Sequence, residues 1–175
     1  MNTIYTHTYQ SPFGEILLGD YKNELVLADW NYRKMHDQID HRIKLGLNAV
    51  YQEEQTDLHR QTIFELEEYF IQKRKNFSLP LKLVGTDFQK KVWENLLDIP
   101  FGETLSYLKL AQKMTNELAI RAIASANGAN AISIIIPCHR IIGNSGQLVG
   151  YAGNVAVKRK LLQLENALPQ LEIDF

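Results

Sequence analysis

The chain has 175 residues, of which 45% are hydrophobic and 22% charged; it is too apolar for a disordered polymer and long enough for one large domain or two small ones sharing an interface. The net charge of −1 excludes a global basic field, so any nucleic-acid contact must come from local placement of Lys and Arg. A single cysteine, Cys138, excludes an internal disulfide and a cysteine-rich zinc site.

The five histidines show no metal-ligand spacing. No run reaches the roughly 18 apolar residues of a membrane span, and Met1-Asn2-Thr3-Ile4 lacks a charged-then-apolar leader pattern. A free thiol suits a reducing compartment, and a soluble, cytoplasmic protein is expected.

Residues 3–31 read as short strands, with Ile16-Leu17-Leu18 and Leu25-Val26-Leu27-Ala28 flanking a turn at Asp20-Tyr21-Lys22-Asn23. The polar stretch 33–57 reads as an exposed connection with at most one short helix. Ile63, Leu66, Tyr69 and Phe70 then mark a helical stripe between Asp57 and Lys73. Pro80 and the residues to Gly85 predict a short strand and a linker. This divides the chain into an α/β unit, 1–85, and a mainly helical unit, 86–175.

The second unit carries strong helix signals. Thr86-Asp87-Phe88-Gln89 fits a capping box ahead of Val92 and Leu96, and Ser106 can cap a second helix running to about Met114. Asn116 is placed to cap a third, and so tight a connection predicts helix-turn-helix. Ala119, Ala122, Ala124 and Ala126 make that third helix slim, while Glu117, Arg121 and Ser125 define its polar face. Slimness serves packing inside a protein as well as close approach to another surface, so a transcriptional regulator fits at this point. Ile132-Ser133-Ile134-Ile135-Ile136 predicts a buried strand ended by Pro137; Ile141-Ile142 and Leu148-Val149 predict a hairpin; Asn154 can cap a last helix. The run Lys158-Arg159-Lys160 reads as solvated.

A free cysteine is usually a small hydrophobe. Cys138, however, follows a proline where core packing is interrupted, and His139 and Arg140 come next, which is costly beside a purely structural thiol. Glu165 lies at the edge of the apolar face of the last helix, where it could orient a histidine. An unactivated thiol, with a pKa of about 8.5, is only slightly ionised at neutral pH. An imidazole can take its proton directly or through one water, and a carboxylate can hold the imidazole in the right tautomer. Residue types alone give a Cys-His-acid device equally suited to acyl transfer or proteolysis. Tyr107 as a packing residue, Arg121 as a surface charge, Asn130 as a helix cap and Glu165 as a partner of Lys158 or Arg159 also remain open.

The stretch from Ile132 through Pro137-Cys138-His139-Arg140 to Gly143-Asn144-Ser145-Gly146 and Gly150-Tyr151-Ala152-Gly153 closely resembles the O6-alkylguanine-DNA alkyltransferases. The similarity takes in Gly85-Thr86-Asp87-Phe88-Gln89, Ile99-Pro100-Phe101-Gly102-Glu103-Thr104, Ser106-Tyr107, Arg121-Ala122, Lys158, Leu161-Leu162 and Glu165. It covers about residues 85–166 strongly, and the first unit more weakly through Ser11-Pro12-Phe13-Gly14 and Glu68-Tyr69-Phe70. The resemblance implies an RNase H-like α/β domain followed by a winged-helix domain carrying the active cysteine. It also implies a monomer without cofactor or metal that flips O6-alkylguanine, and O4-alkylthymine, out of duplex DNA and keeps the alkyl group on Cys138. A lesion-binding relative without the chemistry shares this fold, but that branch replaces the acceptor cysteine, which is present here.

By the same resemblance His139 is the water-bridged base, Glu165 its partner, and Tyr107 the tyrosine that assists the leaving base or an adjacent phosphate. Asn130 is the hinge asparagine, Arg121 the finger that fills the gap, and Ala122 and Ser125 belong to the helix that enters the minor groove. Tyr151 walls the base pocket and Ala152 offers it a backbone amide. Asn154 departs from the family in replacing a second glycine, and Ala131 in replacing a proline; Asn127 and Ala152 occupy variable positions beside the pocket.

Overall fold

The structure is a computed structural model that describes residues 1–168; positions 169–175 of the expected second unit lie outside the described residues. Chain order begins with three antiparallel strands, β1 (Asn2–Ser11), β2 (Gly14–Tyr21) and β3 (Glu24–Trp30). The first turn is closed by Ser11, whose Oγ accepts from the Phe13 amide at 3.2 Å and donates to the Gly14 carbonyl at 2.5 Å. The second places Lys22 and Asn23 in the left-handed region, at φ 51° and 67°, which matches the twist of the flanking strands.

The stretch expected as an exposed connection holds more structure than its polarity suggests. Helix α1 (His36–Leu47) buries Ile39 and Ile43, four residues apart, and β4 (Ala49–Glu53) pairs parallel with β1. The sheet order is β3-β2-β1-β4. β4 is an edge strand in which only Ala49 is buried, so no apolar alternation marks it. Helix α2 (Asp57–Phe70) starts from Thr56, whose hydroxyl accepts from the His59 amide while His59 Nδ1 accepts from the Thr56 amide. This capping box has histidine in the usual Glu or Gln position. The strand expected after Pro80 is reduced to one bridge, Leu81 to Leu25.

In the second part, α3 (Asp87–Leu97) carries the expected Thr86–Gln89 capping box and buries Val92, Trp93 and Leu96. Ser106 caps α4 (Tyr107–Lys113) by accepting from the Lys109 amide at 3.1 Å. The expected Asn116 cap does not form. A 3-10 turn, Glu117–Ala119, intervenes, and α5 (Ile120–Gly128) starts only after it. The hairpin expected from Ile141 to Val149 is also absent. β6 (Ile141–Ile142) pairs parallel with β5 (Leu105–Ser106), and the Gly143 amide donates to the Gln147 carbonyl to close a compact loop instead. Helix α6 (Asn154–Leu164) begins at Asn154, which sits at φ 70° and accepts from the Val157 amide at 3.0 Å. Asparagine tolerates the left-handed region better than most residues, and here it adds a cap that glycine could not.

The β-branched run Ile132–Ile136 is not a strand. Only Ile132 bridges to a strand residue, Ala28, while Ile134 takes φ 70° and the Ile136 amide donates back to the Ile132 carbonyl. A β-branched residue in that region costs on the order of 1–3 kcal/mol. Burial of Ile132, Ile134, Ile135 and Ile136 in one core offsets the cost, since each buried aliphatic side chain contributes about 1.5–3 kcal/mol. That core is continuous from Ile16, Leu18 and Trp30 of the first part to Val92, Ile136 and Leu161 of the second.

Candidate active site

Cys138 opens a 3-10 turn, Cys138–Arg140, directly after Pro137, and is 4% exposed. Asn130 makes this geometry possible. Its Oδ1 accepts from the Ile132 amide at 3.0 Å, and its Nδ2 donates to the carbonyls of Ile136 at 2.9 Å and Ile132 at 3.3 Å. One fully buried side chain thus supplies partners that a strand ladder would otherwise give. The carbonyls between α5 and this loop are taken by arginines of the first part: Arg33 donates to Asn130 and Gly128, and Arg42 to Ala129. Arg33 is itself held by Asp29 at 3.1 Å, which accepts from Ser133 Oγ. Sequence reasoning did not find Arg33 or Asp29; only their four-residue spacing hints at the pair.

Behind the cysteine, His139 Nε2 donates to Glu165 Oε1 at 2.7 Å, and both side chains are fully buried. Arg140 grips the same carboxylate through Nε to Oε2 at 2.9 Å and Nη2 to Oε1 at 3.0 Å. The Tyr69 hydroxyl donates to Oε1 at 2.7 Å. The residue types left Lys158 or Arg159 open as the partner of Glu165; the partners formed are His139, Arg140 and Tyr69. Burial pushes the Glu165 carboxyl up, but the bonds and charges of His139 and Arg140 outweigh it and hold the group well below the usual carboxylate range. Burial pushes His139 down and Glu165 opposes this; Arg140 and Lys158 add to the downward push. The resting pair is therefore a carboxylate and a neutral imidazole whose Nδ1 has no protein partner among the described residues.

Burial also raises the Cys138 thiol, against the pull of Asn130, Arg33 and Lys158 beside it. The thiol is thus protonated at rest and needs a base. Cys138 lines a cavity of about 710 Å³ shared with Tyr107, Asn127, Gly128, Tyr151 and Ala152. The Tyr151 hydroxyl accepts from Trp30 Nε1 at 3.1 Å. Gly153 lies so close to Trp30 that a Cβ would meet the ring at 2.8 Å, so the loop bearing Tyr151 and Ala152 rests directly on the first part. A second hollow, of about 520 Å³ beside Phe13, Phe70, Lys160 and Leu164, is lined by no thiol, hydroxyl, imidazole or carboxylate side chain.

Family models for 6-O-methylguanine DNA methyltransferase match nearly the whole chain, the ribonuclease-like domain over residues 4–83 and the DNA binding domain over 87–167. The chain belongs to the 6-O-methylguanine DNA methyltransferase family. A methylated-DNA–protein-cysteine methyltransferase of Methanosarcina barkeri is 40% identical over 162 residues, covering 93% of this chain and 97% of that one. The constitutive enzyme of that name from Bacillus subtilis is 34% identical over 168 residues, covering 92% and 94%. Among solved structures, the Mycobacterium tuberculosis O6-methylguanine methyltransferase superposes with a TM-score of 0.81 at 34% identity, covering 97% of each chain. The same organism's OGT in complex with DNA gives 0.78 at 34% identity, covering 93% of each.

In this member of the methyltransferase family, the slim helix α5 turns Arg121, Ala122 and Ser125 to solvent, and Ala124 lines the Cys138 cavity. Tyr107, at the start of α4, is half-buried beside Asn127, and burial raises its hydroxyl pKa. The reading of Lys158 as solvated is wrong. Its side chain is fully buried, and Nζ donates to the carbonyls of Ile141, Val149 and Gly150. Burial lowers its pKa to about 8, which leaves the ammonium dominant at neutral pH to satisfy those acceptors. A basic triplet is ordinarily a surface feature, and the signal that sets Lys158 apart is its place on the face of α6 shared by Val157, Leu161 and Leu162. Among the described residues no helix is long and apolar enough to cross a membrane, and no group of three or more His, Cys, Asp or Glu side chains could hold a metal.

Proposed function

We propose that this chain reverses O6-alkylguanine damage in DNA, and O4-alkylthymine damage by the same chemistry, by moving the alkyl group to its own Cys138. One observation carries the reading: the thiol lines a cavity roomy enough for a nucleobase beside the solvent-facing side of α5, with His139 held by Glu165 behind it. The lesion is inside the base stack, so the nucleotide must be flipped out to reach the sulfur. His139 takes the thiol proton through a water at Nδ1. The thiolate, a soft nucleophile, then attacks the sp³ alkyl carbon. The S–C bond forms as the C–O bond breaks, and the base departs with the electron pair and takes up a proton, assisted by the Tyr107 hydroxyl and the Ala152 amide. Tyr151 walls the cavity. The product thioether has no good leaving group, so each molecule acts once.

Residues 86–175 supply the DNA-facing helix and the acceptor, and 1–85 form the α/β unit against which they rest. A single chain contributes every group, which favours a monomer, and a thiol that must stay reduced favours the cytoplasm. Arg121, with Ala122 and Ser125, faces the minor groove, where short side chains let the backbone approach closely. After incubation with a duplex carrying one O6-methylguanine, intact mass should show one added methyl group, absent in Cys138→Ala. Repeated turnover, or no adduct on folded protein, overturns the reading. Arg121→Ala should slow repair of the duplex while leaving reaction with free O6-benzylguanine base close to wild type; equal losses on both substrates argue against a flipping role.

A further inference from the structure

We propose that Tyr69, contributed by the first part of the chain, is a positioning residue of the alkyl-transfer site that sets the basicity of His139 through the Glu165 oxygen they share. The inference rests on His139 as the base for the thiol and adds a residue outside the Cys-His-Glu set. Glu165 Oε1 receives the Tyr69 hydroxyl at 2.7 Å, His139 Nε2 at 2.7 Å and Arg140 Nη2 at 3.0 Å. Tyr69 is fully buried, and its ring packs against Phe70, Phe77 and Phe101 with centroids 5.4, 5.7 and 6.0 Å away. A phenylalanine would fill that space equally well, so packing alone does not call for the hydroxyl.

Nor is the hydroxyl needed to neutralise the carboxylate, which Arg140 already holds with two bonds. What it does is compete with His139 for one oxygen. Each donor to Oε1 draws negative charge away from the imidazole, so an imidazolium gains less from Glu165 when Tyr69 is bonded there. The charged groups facing the imidazole act in the same frame: Arg140 and Lys158 disfavour the cation and Glu165 favours it. Tyr151 stands edge-on to the ring with centroids 6.3 Å apart, and Cys138 is the adjacent residue. Tyr69 tips this balance toward a neutral His139, the form able to accept the thiol proton.

The test uses the full chain with Tyr69→Phe and, separately, 3-fluorotyrosine at position 69, a near-isosteric and stronger donor. The first-order rate of methyl transfer from saturating O6-methylguanine duplex is followed against pH, together with duplex affinity. Tyr69→Phe should move the acid limb of the rate upward by about 0.5–1 pH unit, as expected for loss of one charge-assisted hydrogen bond. The rate then falls several-fold on the acid side, with duplex affinity unchanged. Fluorotyrosine should move the limb the opposite way. Limbs that stay put, or that shift in the same direction for both, overturn the proposal. Should Tyr69→Phe fail to fold, the shape-preserving fluorotyrosine decides alone. Wild type that forms no methyl adduct at any pH refutes instead the underlying reading of Cys138 and His139.

Discussion

Glu165→Gln is expected to destabilise the protein by about 3–5 kcal/mol, because it leaves the buried Arg140 guanidinium without its counter-charge. Methyl transfer should fall roughly a hundredfold or more, since a neutral amide lacks the charge that supports the His139 cation. The effect is large because one buried carboxylate serves His139, Arg140 and Tyr69. It also has a pH signature. The Glu165 pKa is depressed on folding, so its stabilisation is complete above the unfolded carboxyl value of about 4.3 and is lost as pH falls toward the lower folded value. Urea midpoints of wild type and Glu165→Gln should therefore differ most at neutral pH and converge in acid. A gap independent of pH would show that ionisation of Glu165 is not the source of its stabilisation.

Asn130→Ala should cost about 1–3 kcal/mol, because it leaves the Ile132 amide buried without a partner and the Ile136 carbonyl with only the Cys138 amide. The larger consequence is chemical. Without the side chain that coils residues 132–136, the 3-10 turn carrying Cys138 loses its support, and methyl transfer should vanish even where circular dichroism reports a folded protein. Asn130→Asp should not rescue it, since a carboxylate cannot donate to the Ile136 carbonyl. Wild-type adduct formation in either variant would remove Asn130 from the site.

What the sequence revealed and what it hid divide along the range of the interactions. Thr86 with Gln89, and Ser106 with Lys109, were legible because a capping bond closes within one helical turn. Cys138, His139 and Glu165 drew attention through residue type and helical placement, and the family motifs gave them roles. Arg33, Tyr69 and Lys158 were not legible, because their meaning depends on carbonyls and a carboxylate brought from distant parts of the chain. The run 132–136 misled for a different reason: β-branched composition reports burial and stiffness, not pairing. A strand and an Asn-pinned coil in the same core read alike. The edge strand β4 failed in the opposite sense, its backbone paired while only Ala49 of its side chains is buried.

Where the two recognisable units meet, the Ala28 amide donates to the Ala131 carbonyl and the Ser133 amide to the Ala28 carbonyl. Trp30 lies under the Tyr151 loop, and no apolar seam separates one side from the other. Motif boundaries therefore do not coincide with energetic boundaries. Severing the chain near residue 85 would give two fragments, each with an open apolar scar, and the acceptor loop would be stranded on one of them. The first unit is thus a foundation of the reactive centre, and loosening it anywhere along Ala28, Trp30 or Tyr69 is transmitted to the thiol.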